Sequence, residues 1–285
     1  MINILDYYQD VPLHINPTAF TVGSFSIGWY SLMYIVACSV IYLLLAYRLS
    51  KKEGSYDKNF ILDFLMYALL GVLIGGRLGY VLIYNPAYYF HNPVAIISPY
   101  DFSTGELTGI YGMSYHGGLL AILAITLIFT KKNKINFWQF ADFVVPAIPA
   151  GYFFGRIGNF LNLELYGRVT DSWIGMHFPL ELGGGPFLRY PSQLFEALLE
   201  GAVLFCLLWF IRNRSSFSGY FVSIYLMGYG VARIIAEFFR EPDQQIGFIG
   251  HYFTLGQILS FCMVVFGVWI YLNKKNKLNQ IKPKI

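Results

Sequence analysis

The sequence predicts an all-α integral membrane protein of seven transmembrane helices, N-terminus outside and C-terminus cytoplasmic, with small external segments. Three observations carry this. Only 13% of the residues are charged, against about 25% in soluble domains, so the chain lacks the polar surface that water demands. Apolar residues make up 56%, and the mean hydropathy is +0.51. Apolar stretches near the roughly 20 residues that cross a hydrocarbon core recur along the chain, and the loops between them alternate in Lys and Arg content. An ordinary soluble enzyme, a disordered chain and a nucleic-acid binder are excluded on composition.

The first stretch runs from Ser26 to Tyr47 and the second from Phe60 to Ile83. On the second, Gly71, Gly75 and Gly79 form a small-residue stripe that predicts close helix packing. The third, Gly112 to Thr130, contains Gly117-Gly118 near its start. The fourth, Phe140 to Leu161, holds Pro146, Pro149, Gly151, Gly155 and Gly158. A kink or break is expected there, which a membrane tolerates only where protein or a water-filled cavity satisfies the freed backbone groups. The fifth runs from Leu194 to Ile211, the sixth from Gly219 to Phe239 and the last from Phe253 to Leu272. Two excursions are expected outside, Tyr84 to Tyr111 with its PAYYFHNP string and Asn162 to Pro191 with Gly183-Gly184-Gly185. The chain, 1–285, reads as a single transmembrane domain.

Positive charge orients these stretches. Arg48, Lys51, Lys52 and Lys58 follow the first, and Lys131, Lys132 and Lys134 the third. Arg212 and Arg214 follow the fifth, and Lys274, Lys275, Lys277, Lys282 and Lys284 the seventh. The opposite loops hold only Arg168, Arg189 and Arg240. Cytoplasmic loops carry the Lys and Arg excess, so the N-terminus is placed outside, and the formal net charge of +4 is topological. It implies no nucleic-acid partner. Cys38, Cys206 and Cys262 lie in apolar runs, so neither a disulfide framework nor a metal site is expected. The first 25 residues lack Lys and Arg, which argues against a cleaved signal peptide.

Against this background the in-span ionisable residues stand out, because a charge at the bilayer centre costs at least about 2.5–3.5 kcal/mol. Arg77, Arg156 and Arg233 all fall in the outer halves of their spans, and His116 stands at the outer entrance of the third. Tyr229, Arg233 and Glu237, spaced i, i+4, i+8, share one helix face. Arg77 and Arg233 have two readings each: snorkelling to the interface or, for Arg233, an ion pair with Glu237, against a role in a site. The densest string, GRIGNFLNLELYGRV from Gly155 to Val169, places Arg156, Asn159, Asn162 and Glu164 within nine residues. A guanidinium beside amide donors suits a phosphate, whose oxygens match its planar fork.

These strings resemble the bacterial phosphatidylglycerol–prolipoprotein diacylglyceryl transferases. The resemblance runs from WYSLMY at Trp29 through GGRLGYVLIYN, HGGLLA, GRIGNFLNLELYGRV, YPSQLFEALLEG and GYGVARIIAEFFREPDQQ. It implies transfer of an sn-1,2-diacylglyceryl group from phosphatidylglycerol to the lipobox cysteine of a prolipoprotein signal peptide. A thioether forms and glycerol phosphate leaves, the first step of lipoprotein maturation. The implied place is the outer leaflet of the bacterial cytoplasmic (inner) membrane, with phosphatidylglycerol, membrane lipid and the prolipoprotein as partners and no cofactor or metal. The resemblance carries Tyr30, His116, Arg156, Asn159, Glu164, Gly167, Tyr229, Arg233 and Glu237 over as essential. Arg156 and Arg233 then hold the head-group phosphate, with Asn159, Glu164, Gly167, Glu237 and Tyr30 around it. His116 is the candidate for activating the thiol, whose ordinary pKa of about 8.5 leaves it mostly protonated. Tyr229 is the runner-up for the proton, and the lipid's own phosphate a third possibility. Tyr190 stands where the family often has His, so it receives no proton-transfer role. The opposing class is an anion or lipid transporter, which predicts polar groups on both sides of the midplane and an internal repeat; no repeat is visible.

Overall fold

The structure, a computed structural model, describes residues 4–23, 25–98, 100–101, 106–107, 112–242, 247–250 and 252–281. Tyr111 and other parts of the first excursion, Asp243 to Gln245 of the last motif, and Lys282 and Lys284 lie outside them. The described residues are mostly helical. A short helix α1 (Ile4–Gln9) precedes an antiparallel hairpin of β1 (Thr18–Val22) and β2 (Phe25–Gly28), which leads into α2 (Trp29–Ser50). Helix α3 (Lys58–Ile83) starts at Asp57, whose carboxylate accepts the Phe60 N–H at 2.7 Å, a side-chain cap for one of the donors a helix start leaves open. The short α4 (Pro86–His91) and the two-residue strands β3 (Tyr100–Asp101) and β4 (Glu106–Leu107) follow.

Helix α5 (Tyr115–Lys132) is capped by Ser114, whose hydroxyl accepts the Gly117 N–H at 3.2 Å. The expected break in the fourth stretch is a 3₁₀ turn, Val145–Ala147, between α6 (Phe137–Val144) and α7 (Ile148–Leu161). Pro146 and Pro149 supply no N–H there, so unbroken α bonding cannot pass through. After the hairpin of β5 (Met176–His177) and β6 (Leu188–Arg189), α8 (Ser192–Glu196) runs through a π-helical stretch, Ala197–Val203, into α9 (Leu204–Ile211). Helix α10 (Tyr220–Glu237), the pair β7 (Phe248–Ile249) and β8 (Phe253–Thr254), and α11 (Leu255–Ile281) complete the order.

Among the described residues, four helical segments are long and apolar enough to cross a membrane: Trp29–Ser50, Lys58–Ile83, Ser192–Ile211 and Leu255–Leu278. The other three stretches are helical but less suited by length and composition. Helix α5 ends on Lys131 and Lys132, α7 has only 14 residues, and α10 carries Arg233 and Glu237.

The chain divides into two compact units, residues 1–53 with 141–285, and residues 54–140. In the smaller unit α3 packs along α5. The stripe glycines make this possible: a Cβ on Gly75 would sit 2.7 Å from the Gly117 carbonyl oxygen, and one on Gly79 would sit 2.7 Å from Gly117 Cα. Phe60, Phe64, Phe129 and Phe140 form its aromatic core. Arg77 does not snorkel. Its guanidinium donates to Ile96 O at 2.8 Å, Ala95 O at 2.7 Å and Gly112 O at 3.3 Å, over the Tyr89 ring. It thus satisfies carbonyls of the segment after α4 and does not reach for solvent.

In the larger unit α2 packs on α7 and α10 on α11, while the π-helical stretch lies along α7. One end of this bundle is tied by Arg48, which donates to Glu53 at 2.8 Å and to the Phe143 carbonyl at 2.5 Å, and by Arg212, 3.2 Å from the other Glu53 oxygen. Asp142 caps α10: its carboxylate accepts the N–H groups of Gly219, Tyr220 and Val222. Three charge-assisted bonds explain how this carboxylate is held inside the bundle.

Candidate functional site

The site is built in the larger unit by α7, by the segment α8 with its π-helical continuation, and by α10. Gly201 sets how closely two of them meet. A Cβ there would lie 2.7 Å from Phe153 Cβ and 2.8 Å from its Cα, so a larger residue would push the π-helical stretch off α7. Helix α7 then offers Tyr152, Arg156 and Asn159 on one side. Glu196 and Glu200 face them from the second segment, and α10 adds Tyr229, Arg233 and Glu237.

Arg156 is held from several directions. Its Nε lies 2.7 Å from the Tyr152 hydroxyl oxygen and 2.8 Å from Glu196 Oε2, and its Nη1 donates to Asn159 Oδ1 at 3.2 Å. The Tyr152 ring lies beneath the guanidinium, 4.9 Å from Cζ to centroid. Among the described residues, Nη2 donates to nothing. Asn159 passes the chain on, its Nδ2 donating to Glu164 Oε1 at 2.7 Å. Glu164 is fixed through its backbone, its N–H donating to Asn159 O at 3.1 Å and its carbonyl accepting from Gln193 Nε2 at 2.6 Å. Tyr30, in the first turn of α2, lies beside the Asn159 side chain.

Arg233 stands among three carboxylates. Its Nη1 is 3.2 Å from Glu196 Oε2 and 3.5 Å from Glu200 Oε1, and its Nη2 is 2.9 Å from Glu237 Oε2. The Nη1 contacts are close in charge but not aligned as hydrogen bonds. The ion pair expected from the i, i+4 spacing of Arg233 and Glu237 is therefore present, but it is one edge of a larger network. Glu237 Oε1 accepts from the Thr254 hydroxyl at 3.1 Å, which anchors the carboxylate to the start of α11. Glu196 Oε1 takes the Nη1 of Arg240 at 3.4 Å. A single buried carboxylate thus touches Arg156, Arg233 and Arg240. Buried charge is tolerable only when paired, and Arg156, Arg233 and Arg240 formally balance Glu196, Glu200 and Glu237.

Tyr229 is buried, edge-on to Tyr152 with ring centroids 5.7 Å apart. Gly167 contributes backbone: its N–H donates to Tyr190 O at 2.8 Å, its carbonyl accepts from Arg189, and it bridges to Arg240. A Cβ there would meet Phe239 O at 2.2 Å. His116 belongs to the other unit, exposed in the first turn of α5 and edge-on to Tyr115. Of the nine residues carried over from the resemblance, Tyr30, Arg156, Asn159 and Glu164 are joined in one chain of contacts. Arg233 and Glu237 are joined in the other, with Glu196 linking the two.

Sequence reasoning passed over Tyr152, Glu196, Glu200 and Arg240. A signal existed for two of them. Glu196 and Glu200 stand four apart inside an apolar stretch, where a carboxylate is as foreign as an arginine.

The chain matches the family model described as prolipoprotein diacylglyceryl transferase over residues 17–273. It belongs to that family. Among curated relatives it is 45% identical over 279 residues to a protein of Chlorobaculum tepidum, covering 97% of this chain and 96% of that one. It is 43% identical to one of Rickettsia bellii over 262 residues, 91% and 95% of the two chains. A Campylobacter jejuni relative is 40% identical over 275 residues, 96% and 98%. Each of the three is named phosphatidylglycerol–prolipoprotein diacylglyceryl transferase. The matched region of the diacylglyceryl transferase family contains the whole Tyr152–Arg240 network.

Proposed function

We propose that this family member transfers the sn-1,2-diacylglyceryl group of phosphatidylglycerol to the lipobox cysteine of a prolipoprotein. The thiol sulfur attacks the glycerol carbon that bears the phosphate. A C–S bond forms, the C–O bond breaks, and its electron pair leaves on a phosphate oxygen of glycerol phosphate. What the residues must do is hold the phosphate and stabilise the charge it gains. The observation that carries this reading is Arg156: a guanidinium fixed at Nε and Nη1 by its own protein, with Nη2 making no bond among the described residues. Donors aimed in advance at developing charge need no reorganisation when it appears. Arg233 lies on the same carboxylate, and its unaligned Nη1 contacts leave it able to turn a donor towards an arriving anion. Asn159, Glu164, Tyr30, Gly167 and Glu237 hold this end of the site in shape. His116 takes the thiol proton, and Tyr229 is the alternative group for that step.

The chain is read as one multi-pass domain of the bacterial cytoplasmic membrane, crossing seven times, with this site facing the outer leaflet. The alternation of Lys and Arg between loops supports that orientation. Impermeant thiol labelling of single cysteines tests it: Trp173→Cys should react in intact cells and Asn133→Cys only after permeabilisation, and the reverse pattern overturns the topology. Vesicles test the reaction. Purified protein, phosphatidylglycerol and a lipobox peptide should yield a diacylglyceryl thioether. Absence of product from folded protein, or equal use of phosphatidylethanolamine, overturns the reading.

A further inference from the structure

We propose that Glu200 is a positioning residue for the transfer, acting on Arg156 through the Tyr152 hydroxyl; this rests on the reading of Arg156 as the phosphate's partner. Glu200 is fully buried and lies in the π-helical stretch. It therefore acts through its neighbours rather than on a lipid head group directly. Its Oε2 accepts the Tyr152 O–H at 2.5 Å, and its Oε1 lies 3.5 Å from Arg233 Nη1.

A phenol has one hydrogen to donate. With that hydrogen committed to Glu200, the Tyr152 oxygen turns its lone pairs to Arg156 Nε, 2.7 Å away. The same residue supports the guanidinium with its ring face. Tyr152 thus grips Arg156 at one edge and from below, and Glu200 decides which way the phenol is polarised. Without an acceptor at Glu200 the hydroxyl hydrogen is free to point at the guanidinium, where two donors oppose each other. The guanidinium then tilts, and the aim of Nη2 with it.

The transferase assay in phosphatidylglycerol vesicles reads this directly. Misplacing a group by about 1 Å costs about a hundredfold in rate, so Glu200→Leu should lower kcat by about tenfold to a hundredfold. KM for phosphatidylglycerol should stay within about twofold, since the charge that attracts the lipid is retained. Glu200→Gln keeps an amide oxygen for Tyr152 and should restore most of the lost kcat. Tyr152→Phe should match Glu200→Leu, and the double variant should be no worse than either, because both act on one path.

Glu200→Gln no better than Glu200→Leu would mean that charge balance, not the phenol's direction, is what Glu200 supplies, and overturns the proposal. So would multiplying losses in the double variant, or a raised KM with kcat retained. Should Glu200→Leu not fold, wild-type kinetics in Tyr152→Phe overturn it alone. Arg156→Ala in the same assay separates the two ideas: activity in that variant removes the phosphate reading itself. Its inactivity beside a fully active Tyr152→Phe removes only the role of Glu200.

Discussion

Arg156 Nε and Glu196 Oε2 lie 2.8 Å apart, with the two side chains only 14% and 1% exposed. Glu196 also faces Arg233 and Arg240, so its removal leaves three guanidiniums short of a partner at once. Breaking one partner from a buried pair costs about 3–5 kcal/mol. Glu196→Ala should therefore unfold at a clearly lower temperature in detergent than wild type, and an unchanged midpoint would show that the network does not hold the bundle.

Charge alone should not replace Arg156. Lysine keeps the positive charge but has no planar fork with which to meet Tyr152, Asn159 and a phosphate together. Loss of a preorganised donor costs about 10²–10³ in kcat, and Arg156→Lys should fall in that range when turnover is measured in vesicles. Wild-type turnover would take Arg156 out of the chemistry.

Gly167 is expected to act through space rather than chemistry. Alanine there would place Cβ 2.2 Å from Phe239 O and 2.8 Å from Tyr190 O, both backbone atoms that cannot rotate away. Overpacking costs typically about 1–3 kcal/mol, and here the β-bridge to Arg240 would open with it. Gly167→Ala should lose both thermal stability and activity. Lost activity with full stability would instead point to contact with substrate.

His116 answers a different question, that of the thiol proton. As the base, His116→Gln should lower the rate at saturating phosphatidylglycerol far more than it weakens lipid binding. Equal loss of both, measured by kinetics and by lipid retention in detergent, would assign it to the head group.

The helical framework was legible because apolar length is a local quantity. The break at Pro146 and Pro149 and the glycine packing of α3 were legible for the same reason. The Arg233–Glu237 contact was readable from spacing within one helix. Its further partners were not, since Glu196 and Glu200 reach it from another segment and nothing in the local pattern specifies that meeting. Counting only basic residues also hid them, although a carboxylate in an apolar stretch carries the same cost. Arg77 shows the converse: its partners among the described residues include backbone carbonyls of Ala95, Ile96 and Gly112, groups present at every position and so invisible to any residue pattern.

The π-helical stretch sets the phase of this part of the chain in a way that substitution does not reveal. Its backbone bonds run i to i+5 rather than i to i+4. Were the same residues bonded i to i+4 throughout, everything beyond the stretch would turn on the helix axis by roughly 100°, one residue's share of a 3.6-residue turn. Leu204 and Leu208, now packed with Val145, Phe221 and Tyr229, would swing off that cluster while Glu196 stayed in place. The π turn thus keeps the carboxylates in phase with the apolar face that seats them, a setting of the backbone that no side-chain replacement nearby can supply.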